Sequence, residues 1–249
     1  TFAVAVAIAM FPTLTEFAAK KRMEDFKRSM SLGIRSIVFI TLPAAAGLIA
    51  LRVPIVRVLY QQGAFSSTDT LITAHALLFY SLGMIGYAAQ QLLNRTFYAL
   101  QDTWTPVSVG VISIVINIVL SLTLIGPLGY GGLALAYSIA GLFMMLALLY
   151  FLRRKIGAIN GRELVISFCR SFLASVIMGV VVYLTASYLE NTLDMTIKIN
   201  QIIQVVTGVG LGCGVYAVFA FAFRSDEALW AWNLFSRRFR RNGGNARAS

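Results

Sequence analysis

The sequence has little charge. Of its 249 residues only 12% are Asp, Glu, Lys or Arg, and 58% are hydrophobic. A soluble domain carries about a quarter charged residues. Acidic residues are scarcest, ten against 21 basic ones. A net charge of +11 would point to nucleic acid in a soluble protein. Here the basic residues stand in short stretches beside long apolar runs, so anionic membrane lipids are the expected partner and nucleic acid is not. The two cysteines, Cys169 and Cys213, fall within apolar runs without C-x-x-C spacing. That excludes a disulfide framework and a zinc site, and both read as small packing residues. The single histidine, His75, has no acid one turn away, so it reads as an interface residue rather than a proton relay. An H-x-x-H pair, a DxD-like acidic cluster, a nucleophile elbow and paired intramembrane carboxylates are all missing. Nothing therefore supports an enzyme, a metal site or a cofactor. Two-residue alternation is missing too, which excludes a barrel.

What the sequence does have is long apolar runs, at 1–14, 36–51, 71–93, 106–125, 131–152, 165–187 and 201–223. Its mean hydropathy is +0.77. A helix needs roughly 20 apolar residues to cross a bilayer, so the chain is predicted to be all-α, a polytopic transmembrane bundle of about seven helices. The connecting stretches alternate in charge. One set carries Lys20, Lys21, Arg22, Lys27, Arg28 and Arg35, then Arg95, then Arg153, Arg154, Lys155 and Arg162, then Arg224, Arg237, Arg238, Arg240 and Arg241. The other carries only Arg52, Arg57 and Lys198, beside Asp69, Glu190 and Asp194. By the positive-inside rule the first set is cytoplasmic. The first helix then runs outward-to-inward and the C-terminus lies in the cytoplasm. Thr1 stands inside an apolar run too short for a full span, with no charged n-region or cleavage site. The expectation is a C-terminal part of a longer protein, cut within its first helix.

Several local features have a physical reading. Pro12, in Phe11-Pro-Thr-Leu-Thr15, removes a backbone donor, which neighbouring helices tolerate inside a bundle. The stretch 16–35 mixes Phe17, Met23, Phe26 and Met30 with basic residues. It reads as an amphipathic helix on the cytoplasmic surface or a solvated linker. Ser66, Ser67, Thr68 and Asp69 offer N-caps for the next helix. The connection 96–106 is short, polar and aromatic, and Pro106 suits the first turn of the helix that follows. The loop 126–132 is too short for anything but an antiparallel neighbour. Among the glycines of 207–214, the pairs Gly208/Gly212 and Gly210/Gly214 read as close helix contacts rather than a dinucleotide loop. After Phe223, the acids Asp226 and Glu227 open a basic, aromatic stretch that reads as an interfacial helix with a disordered tail from 242.

Few polar residues lie at depth. Arg52 and Arg57 stand against the charge rule at the outer end. They are candidate contacts for a passing phosphate, although five residues along a helix place them about 140° apart; the simpler reading is snorkelling to outer headgroups. Arg170 can snorkel likewise at the inner side. Asn117 and Ser121, one turn apart, read as an interhelical hydrogen-bonding site, with a cation site as the sharper alternative.

An ordered set of motifs carries a resemblance. It comprises Phe11-Pro-Thr-Leu-Thr15, Leu42-Pro-Ala-Ala-Ala-Gly-Leu48, Pro54-Ile-Val-Arg-Val-Leu-Tyr-Gln-Gln-Gly-Ala-Phe65, Phe97-Tyr-Ala-Leu-Gln-Asp-Thr-Trp-Thr-Pro106 and Gly126-Pro-Leu-Gly129. Together they resemble the MurJ (MviN) family of bacterial lipid II flippases, strongly over residues 1 to 155 and by hydropathy alone over 165–223. That family belongs to the multidrug/oligosaccharidyl-lipid/polysaccharide exporter superfamily, with fourteen helices in two lobes around a central cavity. The resemblance implies that residues 1–155 are helices eight, truncated, to twelve of the C-terminal lobe. It makes 156–223 a two-helix hairpin, helices thirteen and fourteen, whose groove holds the lipid tail, and 224–249 a cytoplasmic basic helix and tail. It implies translocation of lipid II from inner to outer leaflet of the bacterial cytoplasmic membrane, with the N-terminal lobe as partner and no activity for this part alone. Arg52, Arg57 and Asn117 are then candidate substrate contacts. Pro12, Arg95, Asp102 and Pro106 are candidate hinge or clamp residues, with Arg95 near enough to Asp102 to pair. The family's cavity arginines lie mostly in the other lobe and have no counterpart in this sequence. Two alternatives stay open at this point: an exporter of another lipid-linked oligosaccharide or a drug, and a membrane scaffold that recruits cell-wall enzymes.

Overall fold

The structure, a computed structural model, describes residues 1–159 and 161–222. The expected interfacial helix and tail at 224–249 lie outside the described residues. Eight helices follow in order: α1 (Phe2–Ala19), α2 (Met23–Ala50), α3 (Arg52–Tyr60), α4 (Ser67–Ala99), α5 (Trp104–Leu128), α6 (Tyr130–Ile156), α7 (Gly161–Thr192) and α8 (Lys198–Ala222). All but the short α3 are long and apolar enough to cross a membrane. This is the expected bundle of seven spans, and no strand occurs among the described residues. In hydrocarbon every backbone N–H and C=O must be satisfied within its own segment, so a long apolar run has little choice but helix.

The helices outrun the apolar segments. α4 has 33 residues and α7 has 32, close to 50 Å at about 1.5 Å per residue. Their ends therefore stand beyond a hydrocarbon layer of about 30 Å. Ser66 caps α4 as foreseen: its hydroxyl accepts from Asp69 N at 3.3 Å, and the Asp69 carboxylate accepts from Ser66 N at 2.9 Å. That is a capping box with an acid in the first turn. α6 ends on Arg153, Arg154 and Lys155 before Gly157, where cations complement the helix dipole.

Neighbours run in the order α5, α6, α4, α2, α7, α8, with α1 packed against both α2 and α4. α3 packs on α4 and α8. The large buried side chains gather in the half of the bundle that carries the basic connections. Leu14, Phe26, Met30, Ile37, Leu92, Leu93, Phe97, Leu148 and Leu152 are almost fully buried there in one cluster. In its other half α4 buries Thr70, Ala74, Ser81, Gly83 and Gly86 instead. Small residues let the backbones of α4 and α6 approach. A Cβ on Gly83 would lie 2.5 Å from Ser138 Cα, and one on Gly86 2.7 Å from the Gly141 backbone. The Ser138 hydroxyl donates to Phe79 O at 2.6 Å across this contact. Close packing replaces the hydrophobic driving force that lipid cannot supply.

Two expectations are corrected here. Residues 16–35 are neither a separate surface helix nor a linker. α1 continues to Ala19, and α2 starts at Met23 and runs unbroken into the membrane segment. Phe26 and Met30 are fully buried against the bundle, because the apolar face of this stretch finds α1 and α4 rather than lipid headgroups. Of the two glycine pairs in α8, only Gly208 and Gly212 face neighbours. A Cβ there would meet Leu51 at 2.8 Å and Val182 at 3.1 Å, whereas Gly210 and Gly214 face open space.

The connection between α5 and α6 is shorter than expected. α5 runs through Pro127 to Leu128 and α6 starts at Tyr130, leaving Gly129 alone at φ +55°. An L side chain rarely adopts that backbone, and glycine does so freely. Just beyond it a Cβ on Gly132 would strike Leu124 O, so the corner is closed by backbone contact.

Candidate functional site

α7 divides two apolar grooves. One, of 480 Å³, lies between α2, α4 and α7, with Ala46, Ser81, Phe172 and Val176 in its walls. The other, of 550 Å³, lies between α2, α3, α7 and α8, lined by Pro43, Leu48, Met178, Gly208 and Gly212 among others. α7 turns Ala174, Ser175, Met178, Val182 and Ala186 inward, and these mostly small residues let it sit low on α2. α8 is fixed by two hydrogen bonds that cross between helices. Tyr216 Oη donates to Phe39 O at 2.7 Å, and Gln204 Nε2 donates to Ala186 O at 2.8 Å.

At the end of α7 away from the basic connections, a smaller polar pocket of 290 Å³ is lined by Arg52, Arg57, Tyr183, Ser187 and Glu190, among others. Arg57 Nη2 donates to Glu190 Oε1 at 2.6 Å, and Arg57 Nη1 is buried without a hydrogen-bond partner. Arg52 Nη1 donates to Ile49 O at 2.9 Å. The two arginines leave α3 in different directions, as their spacing requires, yet both reach this pocket on long flexible stems. Snorkelling is thus not what Arg57 does: its side chain is 16% exposed and paired across to α7. At the basic end a second link, Arg35 to Glu163 at 3.3 Å, ties α2 to the start of α7.

The turn between α4 and α5 is organised by Asp102. Its carboxylate accepts from Thr105 N at 3.0 Å and from the Thr105 hydroxyl at 2.8 Å, capping α5. Lys155 Nζ at the end of α6 donates to it at 2.5 Å. The expected pairing with Arg95 is therefore corrected. α4 runs on to Ala99, which leaves Arg95 a full turn inside its helix, while the end of α6 arrives beside the turn. The Lys155 ammonium, helped by both Thr105 donors, holds the Asp102 carboxyl down at about 2, below its ordinary 3.8. A depressed carboxyl contributes stability that is complete above its unfolded value and is lost as pH falls through its folded one. Asp102→Ala is expected to cost about 1–2 kcal/mol, a lost cap plus a lost ion pair. In thermal unfolding the gap from the parent protein should be constant above about pH 5 and should close between about pH 4 and pH 2. A gap unchanged at low pH would refute the ionised pairing.

The remaining expected residues are dispersed. Pro12 lies within a continuous α1, exposed, and Pro106 is buried in the first turn of α5. Asn117 does not bond across to another helix. Its Oδ1 accepts from Ser121 Oγ, on the same helix, at 3.5 Å, and α5 binds its neighbour through Ser113 Oγ to Ala140 O at 2.9 Å instead. His75 is exposed and rests on Phe79 with ring centroids 4.9 Å apart.

Sequence reasoning passed over three features. Gln201 and Gln204 are buried on α8, each with an unpartnered Oε1. Gln90 Oε1 and Asn94 Oδ1 on α4 are likewise buried without partners. Both are polar pairs at helical spacing within apolar runs, which is the signal that marks them. The third is the glycine-and-serine contact of α4 with α6, legible in Gly83/Gly86 opposite Ser138/Gly141.

With this geometry in hand, comparison with known proteins is specific. The family model "Lipid II flippase MurJ" matches residues 1–203. The chain is 34% identical over 205 residues to the lipid II flippase MurJ of Thermosipho africanus, covering 82% of this chain and 39% of that protein. It is 36% identical over 149 residues to the probable lipid II flippase MurJ of Vibrio cholerae, covering 60% and 28%. It is 30% identical over 223 residues to the probable lipid II flippase MurJ of Rhizobium meliloti, covering 88% and 41%. Among solved structures it matches a lipid II flippase MurJ in an inward closed conformation with TM-score 0.69 and 29% identity, over 90% of this chain and 44% of that one. The chain thus spans about two-fifths or less of these curated relatives.

Proposed function

Since the chain belongs to the MurJ family of lipid II flippases, we propose that it is the C-terminal lobe of a transporter that carries lipid II across the bacterial cytoplasmic membrane. The carrying observation is the family match, which runs from α1 through α7 into α8 over an all-helical bundle. Lipid II bears a pyrophosphate and a sugar–peptide head. Such groups cannot enter hydrocarbon alone, because burying unpaired charge is prohibitive. A polar cavity between two lobes replaces their hydration, and rocking of the lobes exposes it to one leaflet and then the other. This is transport, with no bond made or broken in the substrate.

In this reading residues 1–155 form the lobe wall and 156–223 the hairpin that accommodates the polyprenyl tail. The 550 Å³ groove shared by α2, α3, α7 and α8 supports that placement. The basic ends face the cytoplasm, the C-terminus with them. Asn117 is the lobe's candidate contact to the sugar–peptide head and, with Ser121, its candidate cation site; Arg52 and Arg57 line a separate pocket across α7 from the tail groove and are not assigned to the substrate in this reading. Asp102, gripping Lys155 and the start of α5, is the clamp of the inner end, and Pro12, Arg95 and Pro106, on α1, α4 and α5, are candidate hinge residues.

The test uses cells depleted of their own lipid II flippase and supplied with the full-length gene product that contains this chain. The fraction of lipid II reached by an impermeant outer-leaflet probe should return to the level of undepleted cells. Protein that is made and inserted while accessibility stays low would defeat the reading. A scaffold would restore nothing here, and an exporter of another lipid would leave lipid II inside.

A further inference from the structure

The two cavities on the α4 side of α7 are one depression. The 480 Å³ groove and the 290 Å³ pocket share Ala50, Arg52 and Tyr183 in their walls. The groove is apolar along Leu82, Phe172 and Val176, and Arg52 stands at its mouth. Beyond the mouth come Arg57 and Glu190. An apolar trough that ends in arginines has the polarity of a lipid, with a hydrocarbon chain below and an anion above.

Charge selects the anion. Two guanidinium groups face one carboxylate, so the pocket carries one net positive charge. A phosphodiester, singly negative, neutralises it, whereas a pyrophosphate would leave it negative. Arg57 gives Nη2 to Glu190 and keeps Nη1 buried and unmatched. A buried donor left unsatisfied costs about 1–3 kcal/mol, and a phosphate oxygen in the pocket would satisfy it. The 480 Å³ groove has room for one ordinary acyl chain.

We propose that this depression binds one anionic glycerophospholipid from the leaflet at the Arg57 end, its phosphodiester between Arg52 and Arg57 and one acyl chain between α2, α4 and α7. The site lies across α7 from the groove assigned to the transported tail, and it does not depend on transport. The bound lipid would fill the space between α7 and α4, two helices that scarcely touch directly.

Native mass spectrometry of the detergent-purified protein tests this. Phosphatidylglycerol, phosphatidylethanolamine and undecaprenyl phosphate are offered singly and in competition. The expected result is one phosphatidylglycerol retained about tenfold better than phosphatidylethanolamine, whose ammonium would meet the arginines, a preference of about 1.4 kcal/mol. The R52Q/R57Q double variant should lose that preference. V176W leaves the arginines intact and fills the groove, so it should weaken retention of both phospholipids. Because it spares the ion pair, V176W decides the matter even if R52Q/R57Q fails to fold. Equal retention by the parent protein and V176W would overturn the proposal. So would undecaprenyl phosphate displacing phosphatidylglycerol at equal concentration, which would make the site one for the substrate class.

Discussion

Gly86→Val should be strongly destabilising. The Cβ alone would sit 2.7 Å from Gly141 C and O and 2.8 Å from Leu142 N. These are backbone atoms of a packed helix and cannot swing aside like the end of a side chain. α4 and α6 would have to separate, which would also stretch the Ser138 to Phe79 hydrogen bond and part the stacked rings of Tyr87 and Tyr137, 4.2 Å apart. Overpacking of this kind costs about 3 kcal/mol at the upper end of its usual range. Thermal unfolding in detergent should drop by roughly 6–12 °C for a chain of this size. Gly210→Ala is the matched control: nothing lies within 4 Å of its Cβ, and alanine is the better helix former by about 1 kcal/mol. It should be neutral or slightly stabilising. If Gly86→Val unfolds with the parent protein, the close α4–α6 contact is wrong.

The second large effect is expected at Phe26→Ala. Phe26 is fully buried in the cluster with Leu14, Met30, Leu93 and Phe97. Removing a buried aromatic ring leaves a cavity whose lining loses its dispersion contacts, at about 3–5 kcal/mol. Glu24→Ala, two residues away on an exposed carboxylate, should be close to neutral. If the segment lay flat on the membrane surface the result would differ in kind. Phe26→Ala would then loosen lipid association and leave the unfolding temperature in place.

That contrast shows where the sequence was readable. The seven spans and their antiparallel order follow from run length and from the sorting of charge, because a bilayer allows an apolar run almost no other conformation. The family followed from the order of short motifs, none of them specific alone. What resisted reading was the direction in which a polar-flanked face points. Phe26 and Met30 have the same spacing whether they meet lipid or protein, and only the neighbouring helices decide. Asp102 was recognisable as a structural residue, but its partner was not. Lys155 is 53 positions away, and sequence proximity favoured Arg95. Arg57 reads as a phosphate contact or a residue snorkelling to headgroups, and neither reading names its partner Glu190, which lies 133 positions away. Asn117 was given a partner on another helix, whereas the nearest hydroxyl was one turn along its own.

The one-residue corner at Gly129 bears on how the protein is made. From Trp104 to Leu152 there is no charged residue and no histidine, and the two helices of that stretch are joined by a single glycine. A nascent chain that enters a bilayer must otherwise drag each polar loop through hydrocarbon, and each charge near the centre costs about 2.5–3.5 kcal/mol on insertion scales. This pair brings none across. It can enter as a closed hairpin, tip first, and stop where Arg153, Arg154 and Lys155 meet the starting surface. Asp102, at the other end of the hairpin, pairs with Lys155 there, so the two helices are held together at both ends.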